Sequence, residues 1–294
     1  MARTRFPALV LLLASTLSFS QQNHVAFESS TRPDAPFHLI GNIFYVGGKD
    51  LTSYLITTPN GLILLDGGSA ALAPVIKKNI EELGFRIEDI RFLLNSHAHL
   101  DHAGGLALLK KLSGAKMVAS EGDLPLLERR SQDPQFGGRL GFYGVQVDQV
   151  IHDGQALELG GVSVHAVLTP GHTPGCTTWT MTVTEGGKKY DVVFLCSISV
   201  PQEYRLINNN AYPQIVSDYE HSFDRLKHLP CDVFLGAHGS FFDLKEKRAR
   251  LKAGVRPNPF IDPNAFRWFV AASEREFRQA LQEQRIRASH ISSP

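Results

Sequence analysis

The sequence predicts an α/β fold in which two mixed β-sheets carry helices on their outer faces. Three observations lead there. Short β-rich runs come in two series, one early in the chain and one past its middle, and each series passes into helix-patterned segments. The 294 residues are 43% hydrophobic and 20% charged, which supplies enough apolar surface for a sizeable core. No low-complexity stretch and no Ser/Gly linker interrupts the series. Other α/β arrangements share this order of elements, and the chemistry-bearing motifs have to decide among them.

The elements follow in order. Residues 42–46 (NIFYV), 51–57 (LTSYLIT) and 61–65 (GLILL) are β-rich runs parted by Gly, Asp, Pro and Asn, the pattern of an antiparallel meander. Between Ala70 and Gly84, Leu72, Val75, Ile76, Ile80 and Leu83 recur at helical spacing, and Gly84 makes a good stop. Ile90 to Leu94 is a buried-type strand that leads into Asn95-Ser96-His97. A short helix over Leu106 to Leu112, a strand over Lys116 to Ala119 and a helix over Gly122 to Arg130 come next. Residues 131–146 are rich in Gly, Phe, Tyr and Gln with no period, and read as a surface loop near the site. Strands are expected over 147–151, 155–159, 162–168, 177–184 and 190–196, with Glu185-Gly186-Gly187 as a hairpin turn. A helix over Tyr219 to Leu229, a strand over Asp232 to Leu235 and a long helix over Pro263 to Gln284 complete the chain.

Residues 1–20 (MARTRFPALVLLLASTLSFS) carry a secretory signal pattern. Arg3 and Arg5 precede an apolar run from Ala8 to Leu13, and the small residues Ser18 and Ser20 stand just before Gln21. The expectation is a periplasmic or secreted protein whose residues 21–294 form one domain. Lys plus Arg is 30 and Asp plus Glu is 29, a net charge of +1, so nothing draws the chain to nucleic acid or anionic lipid. Three cysteines are too few for a disulfide scaffold. Cys176, Cys196 and Cys231 each sit in or beside an apolar stretch and read as buried free thiols, with one internal bridge open to them.

The strongest signal is Ser96-His97-Ala98-His99-Leu100-Asp101-His102, directly after a strand. In an extended segment residues two apart point to one side, so His97 and His99 can reach the same ion. Asp101 and His102 lie where the chain turns into a helix and can face a second ion nearby. Imidazole nitrogen and carboxylate oxygen suit zinc, and iron or manganese less exclusively. A satisfied structural histidine is the bland reading of any one of these, but His-x-His-x-Asp-His arises by chance only on the order of once in a thousand such chains. His172 lies in Thr169-Pro170-Gly171-His172-Thr173-Pro174-Gly175 and His238 in Ala237-His238-Gly239, each just past a strand. Alone each is weak. With the cluster they complete two sets of three ligands, and three-ligand sites keep open positions, as catalytic ones do. His24, His38, His152, His165, His221, His228 and His290 fit no ligand spacing and read as structural or surface residues.

Together these motifs resemble the metallo-β-lactamase superfamily over roughly residues 38–285. The resemblance implies an αββα sandwich with the metals at the shared sheet edge. Lactonases, glyoxalase II enzymes and RNase Z-type nucleases of that superfamily carry a bridging Asp between the fourth and fifth histidines. Here that segment reads Val193-Phe194-Leu195-Cys196-Ser197-Ile198-Ser199, with no carboxylate between Asp191 and Glu203. Ser197 stands where the B1 and B2 lactamases have a metal-binding Cys. Ser-x-Ser here, Tyr212-Pro213-Gln214-Ile215-Val216-Ser217-Asp218-Tyr219 and Leu229-Pro230-Cys231-Asp232 are similar to subclass B3. Some members pair the Cys of that last motif with a later one, and this chain has none after Cys231.

The resemblance implies that His97, His99 and His172 hold one zinc and that Asp101, His102 and His238 hold a second. It further implies that Ser197 and Ser199 meet water or a substrate carboxylate, and that Tyr212 donates to the β-lactam carbonyl. The expected activity is hydrolysis of the β-lactam amide, a cause of antibiotic resistance, by a metal-bound hydroxide held with the help of Asp101 and without a covalent intermediate. The expected partner is a small-molecule β-lactam met by a monomer. No Gly-x-Ser-x-Gly elbow and no Ser-x-x-Lys motif offers a serine route. Two alternatives stand beside it: a lactonase or glyoxalase II-like thioesterase on the same scaffold, and a metal-binding protein without turnover.

Overall fold

Alternation with a period of two sends successive strand side chains to opposite faces, and this sorts the chain into layers. The computed structural model describes residues 32–128 and 142–291. One sheet runs in spatial order through β1 (Phe37–Ile40), β2 (Ile43–Tyr45), β3 (Tyr54–Thr58), β4 (Gly61–Leu65), β5 (Ile90–Leu94), β6 (Lys116–Ser120) and β7 (Gln149–Ile151). β1 to β4 are an antiparallel meander. β4 to β7 are parallel, because helices α1 (Ala73–Glu82), α2 (Leu100–Ala103), α3 (Leu106–Ser113) and α4 (Leu124–Glu128) carry the chain back between them. The strands β8 (Ala156–Leu159), β9 (Val162–Leu168), β10 (Thr177–Glu185), β11 (Lys188–Leu195) and β12 (Val233–Gly236) form a second sheet in the order β12-β11-β10-β9-β8. Only its β11–β12 pair is parallel.

Two hydrophobic clusters show the layering. Ile63, Leu65 and Leu94 point between the sheets and pack in one cluster with Trp179 and Phe194. Their neighbours Leu62, Leu64 and Leu93 point the other way and join Ile76, Ile80, Leu106 and Leu109 of α1 and α3. On the far side, α5 (Ile215–Leu226) and α7 (Ala265–Ile291) cover the second sheet, with the Tyr219 and Phe277 rings stacked at 5.1 Å. The result is the αββα sandwich with two mixed sheets.

Most expected elements are present, and the differences have physical reasons. α5 begins at Ile215, four residues ahead of the expected start, because Ile215 continues the buried stripe of Tyr219, Ser222, Phe223 and Leu226. The helix α6 (Leu244–Lys252) was not visible in the sequence, since LKEKRARLK has no apolar period and buries only Leu244 and Lys247. Residues 1–20 and most of the 131–146 loop lie outside the described residues. No described helix is long and apolar enough to cross a membrane.

The expectation of three free thiols is corrected. Cys176 and Cys196 form a disulfide, and Cys231 is a half-buried thiol whose burial pushes its pKa up to about 12. Cys176 immediately precedes β10 and Cys196 immediately follows β11. The antiparallel register Trp179↔Phe194 brings both to one end of the sheet, with their Cα atoms 6.0 Å apart. The bridge closes a loop with a separation of 20 residues. Replacing both cysteines by Ala should therefore lower the unfolding free energy of the metal-free protein by about 3 kcal/mol. Urea unfolding of the double variant beside the parent measures this, and coincident curves would show the bridge to be dispensable.

Candidate metal centre

Five strand ends meet at one edge of the sandwich. β4 ends before Asp66, β5 before Asn95-Ser96-His97, β9 before the loop of His172, β11 before Cys196-Ser197 and β12 before Ala237-His238. The crevice outside the carboxyl ends of strands is where α/β folds place their chemistry. Ties between the sheets fix this edge. Thr177 N–H donates to Ser96 O at 2.8 Å, the Trp179 indole N–H to Asn95 O at 3.0 Å, and the Thr52 and Tyr54 hydroxyls to Gly236 O, each at 2.7 Å.

The structure brings His97, His99 and His172 together, all buried, with ligand atoms within 4.8 Å of one another. His99 keeps an extended backbone (φ −97°, ψ 157°), as the two-residue spacing requires, and α2 starts at the next residue. That turn sends Asp101 and His102 to a second point. Asp101 Oδ2 lies 3.3 Å from His102 Nε2 and 3.6 Å from His238 Nε2, and the two nitrogens are 3.3 Å apart. A triangle of that size has its centre about 2.0 Å from each corner, the length of a zinc–nitrogen bond. The two groups touch, since the His97 and His102 ring centroids are 4.3 Å apart. Donor chemistry and spacing thus fit divalent ions such as zinc.

Outer hydrogen bonds set the tautomers, which decides where each lone pair points. Tyr204 donates its one hydroxyl proton to His172 O at 2.8 Å, so its oxygen accepts from His99 Nε2 at 3.2 Å, which puts the His99 lone pair on Nδ1. His172 Nδ1 donates to Ser199 O at 2.9 Å and His238 Nδ1 to Asp50 Oδ2 at 3.1 Å, leaving the lone pair of each on Nε2. Ser96 Oγ lies 3.1 Å from His97 Nδ1. His102 Nδ1 has no hydrogen-bond partner among the described residues, and Asp66 Oδ2 stands 3.8 Å away. Asp66 accepts from Ser96 N–H at 2.7 Å and from the Asn95 amide at 3.2 Å, in a left-handed backbone conformation (φ 64°).

Burial, then the neighbouring imidazoles, hold His97 and His172 well below the usual histidine range, which favours the neutral form a metal ion requires. Burial pushes the Asp101 carboxyl up, but His102 beside it overrides this and keeps Asp101 ionised far into acid. For His102 burial acts downward and Asp101 prevails, so its pKa rises. Asp50 is held below the carboxylate range, burial being outweighed by His238.

The other expected site residues lie around these groups. The Ser197 and Ser199 hydroxyl oxygens are 3.0 Å apart, just past β11. Tyr212 stands ahead of α5 and donates its hydroxyl to Asp218 Oδ2 at 2.6 Å. Of the histidines set aside, His38, His152, His165, His221, His228 and His290 are exposed, and His24 lies outside the described residues. Sequence reasoning missed Asp50, Asp66, Tyr204 and Asp218. Asp66-Gly67-Gly68 after an apolar strand was a usable signal. Nothing in the sequence joins Asp50 to His238, 188 positions away.

The same fold is found in solved enzymes. The chain is 42% identical to the FEZ-1 metallo-beta-lactamase from Legionella gormanii, with a TM-score of 0.85 over 87% of this chain and 98% of that one. It is 41% identical to BJP-1, a subclass B3 metallo-beta-lactamase of Bradyrhizobium japonicum, with a TM-score of 0.85 over 90% and 99%. Among curated sequences it is 28% identical to the hydroxyacylglutathione hydrolase GloC of Haemophilus influenzae over 69% of this chain and 88% of GloC. The chain spans about a third of the length of the first curated relatives it matches. The family model for the metallo-beta-lactamase superfamily matches residues 46–238, a stretch that takes in all six converging side chains and two thirds of the sequence, and the chain belongs to that superfamily.

Proposed function

We propose that this protein is a zinc-dependent hydrolase that opens the amide bond of β-lactams, with one ion held by His97, His99 and His172 and a second by Asp101, His102 and His238. The observation that carries this reading is the likeness to the metallo-beta-lactamases FEZ-1 and BJP-1, at 41–42% identity over nearly their whole length. A second reading, a thioesterase of the hydroxyacylglutathione hydrolase kind, is favoured by the likeness to GloC. Ser197 argues against it, because the bridging carboxylate that glyoxalase II enzymes carry at this strand end is missing.

Bound at these groups, divalent ions supply a water acidified toward neutrality and a Lewis acid for the carbonyl. The chain's own residues do the rest. Asp101, the one carboxylate among the six donors, has 24% of its side chain exposed and can orient the attacking water by accepting its proton in a hydrogen bond. Of the Ser197 and Ser199 hydroxyls, 3.0 Å apart, one donates to the other, and the proton of the accepting hydroxyl remains for a substrate carboxylate. Tyr212 has a single proton and spends it on Asp218, so donation to substrate requires it to leave that bond. The disulfide suits an oxidising compartment, which agrees with export by residues 1–20 to the periplasm or beyond, where the protein acts as a monomer on a small molecule.

Three outcomes are expected. The purified protein should hydrolyse a chromogenic cephalosporin, lose that activity on dialysis against a strong chelator and regain it with zinc. Turnover of lactones or thioesters with an inert cephalosporin would favour the second reading, and a zinc-loaded protein that turns over nothing would point to a binding protein. Asp101→Asn should lower kcat/KM by about a thousandfold or more in zinc-replete enzyme, as the loss of a group that both holds an ion and orients water. Near-parental turnover there would remove Asp101 from the chemistry. Because Asp218 already holds its proton, Tyr212→Phe should cost less than about tenfold in kcat, a neutral hydrogen bond's worth or less. A hundredfold loss measured in steady-state kinetics would mean that Tyr212 does turn to the substrate.

A further inference from the structure

Asp123 is a buried carboxylate in a single 3-10 turn, Glu121–Asp123, between β6 and α4. None of its carboxylate bonds serves its own helix. Oδ2 accepts from Ala98 N–H at 2.8 Å and from the Thr173 hydroxyl at 3.1 Å, and Oδ1 accepts from Gly175 N–H at 2.8 Å. Ala98 lies between His97 and His99. Thr173 and Gly175 follow His172. One carboxylate therefore ties the two loops that bring the three-histidine group together.

Close backbone packing supports the same contact independently. A Cβ on Gly175 would overlap the backbone nitrogen of Asp123 and come within 2.5 Å of Ser120 Oγ. A Cβ on Gly122 would come within 2.5 Å of Pro174 O. The Ser120 hydroxyl also donates to Gly175 O. Glycine on both sides lets the turn and the His172 loop meet backbone to backbone, with the carboxylate closing the joint.

We propose that Asp123 is a positioning residue for the His97–His99–His172 group: it latches the loop of His97 and His99 to the loop of His172, and so sets how tightly the group binds its ion. This rests on the reading of those three histidines as a metal site. The bond from Ala98 N–H holds the extended backbone that turns both imidazoles to one side. The bonds from Thr173 and Gly175 hold the third imidazole against them. Asparagine would keep the volume but not the function, since its NH2 would face one of the N–H donors that Asp123 now accepts.

The test is zinc affinity, read by competition with a chromophoric chelator on metal-free protein, together with the visible spectrum of the cobalt(II) form. Asp123→Asn should bind its first zinc about ten- to a hundredfold more weakly than the parent and shift the cobalt bands, as lost outer partners of metal ligands do. Affinity within about twofold of the parent, with an unchanged cobalt spectrum, would reduce Asp123 to a space-filling residue and overturn the proposal. Should the variant fail to fold by circular dichroism, Thr173→Val and Thr173→Ser decide. Val should weaken the first zinc and Ser should restore it; equal affinities for the two overturn the latch. A parent protein that binds no zinc in the same titration refutes the metal reading itself, and the latch falls with it.

Discussion

Five imidazoles and one carboxylate crowd one corner, four of the imidazoles buried and His238 and Asp101 partly open to water, and the molecule is arranged around tolerating that crowding. Neighbouring rings stand 4.3 to 4.9 Å apart between centroids. A proton on His97 or His172 would place a poorly hydrated cation against other rings, which is why both are driven neutral. A neutral imidazole still has a second nitrogen to satisfy, and if that nitrogen takes the wrong partner the lone pair points the wrong way. The partners that settle this come from two other segments: the Ser199 carbonyl and the Tyr204 hydroxyl from the loop after β11, and the Asp50 carboxylate from the loop before β3. The inward geometry of the centre is set from outside it.

That dependence explains why two sheets are needed. A single sheet edge could present the His97–His102 segment, but His172, Ser197 and His238 follow strands of the second sheet. The edge stays in register through bonds that cross the sandwich, among them Thr177 to Ser96 and Trp179 to Asn95. Buried Trp179 packs in the inter-sheet core and holds the backbone two residues before His97, so core packing and the placement of the histidine cluster share one side chain. The disulfide acts at the same place, joining the start of β10 to the end of β11 beneath Ser197.

How much of this was legible depended on whether the signal was local. The strand Ile90–Leu94 was readable to the residue, because an apolar run ends where the polar motif begins. His97, His99, Asp101 and His102 were readable because backbone geometry alone makes their spacing meaningful. His172 and His238 became readable only beside them. Asp50 and Asp123 were not readable, since a carboxylate that accepts N–H bonds within the fold has the same letter as a solvated surface acid, and their partners lie at least 25 positions away in sequence. The cysteine pairing needed the β10–β11 register, which composition does not contain. Helix α6 is amphipathic only through Leu244 and the stem of Lys247, too few positions to make a period.

On the proposed reading, the residue at position 197 also sets the charge of the centre. Two divalent ions against five neutral imidazoles and one carboxylate leave a net charge of about +3, and a second carboxylate at 197 would reduce it to about +2 while occupying coordination space. In a buried corner that difference is felt strongly by an anion placed beside the bond to be cut. A β-lactam nucleus with a carboxylate on the adjoining ring brings such an anion; a simple lactone or thioester does not. Ser197 and Ser199 leave the charge intact and offer hydroxyls that can hydrogen-bond to a carboxylate. A serine in place of a bridging acid is therefore more than the loss of a ligand. On that reading the centre favours a substrate whose carboxylate lies beside the bond to be cut, which a β-lactam has and an acylglutathione, with its carboxylates remote from the thioester, does not.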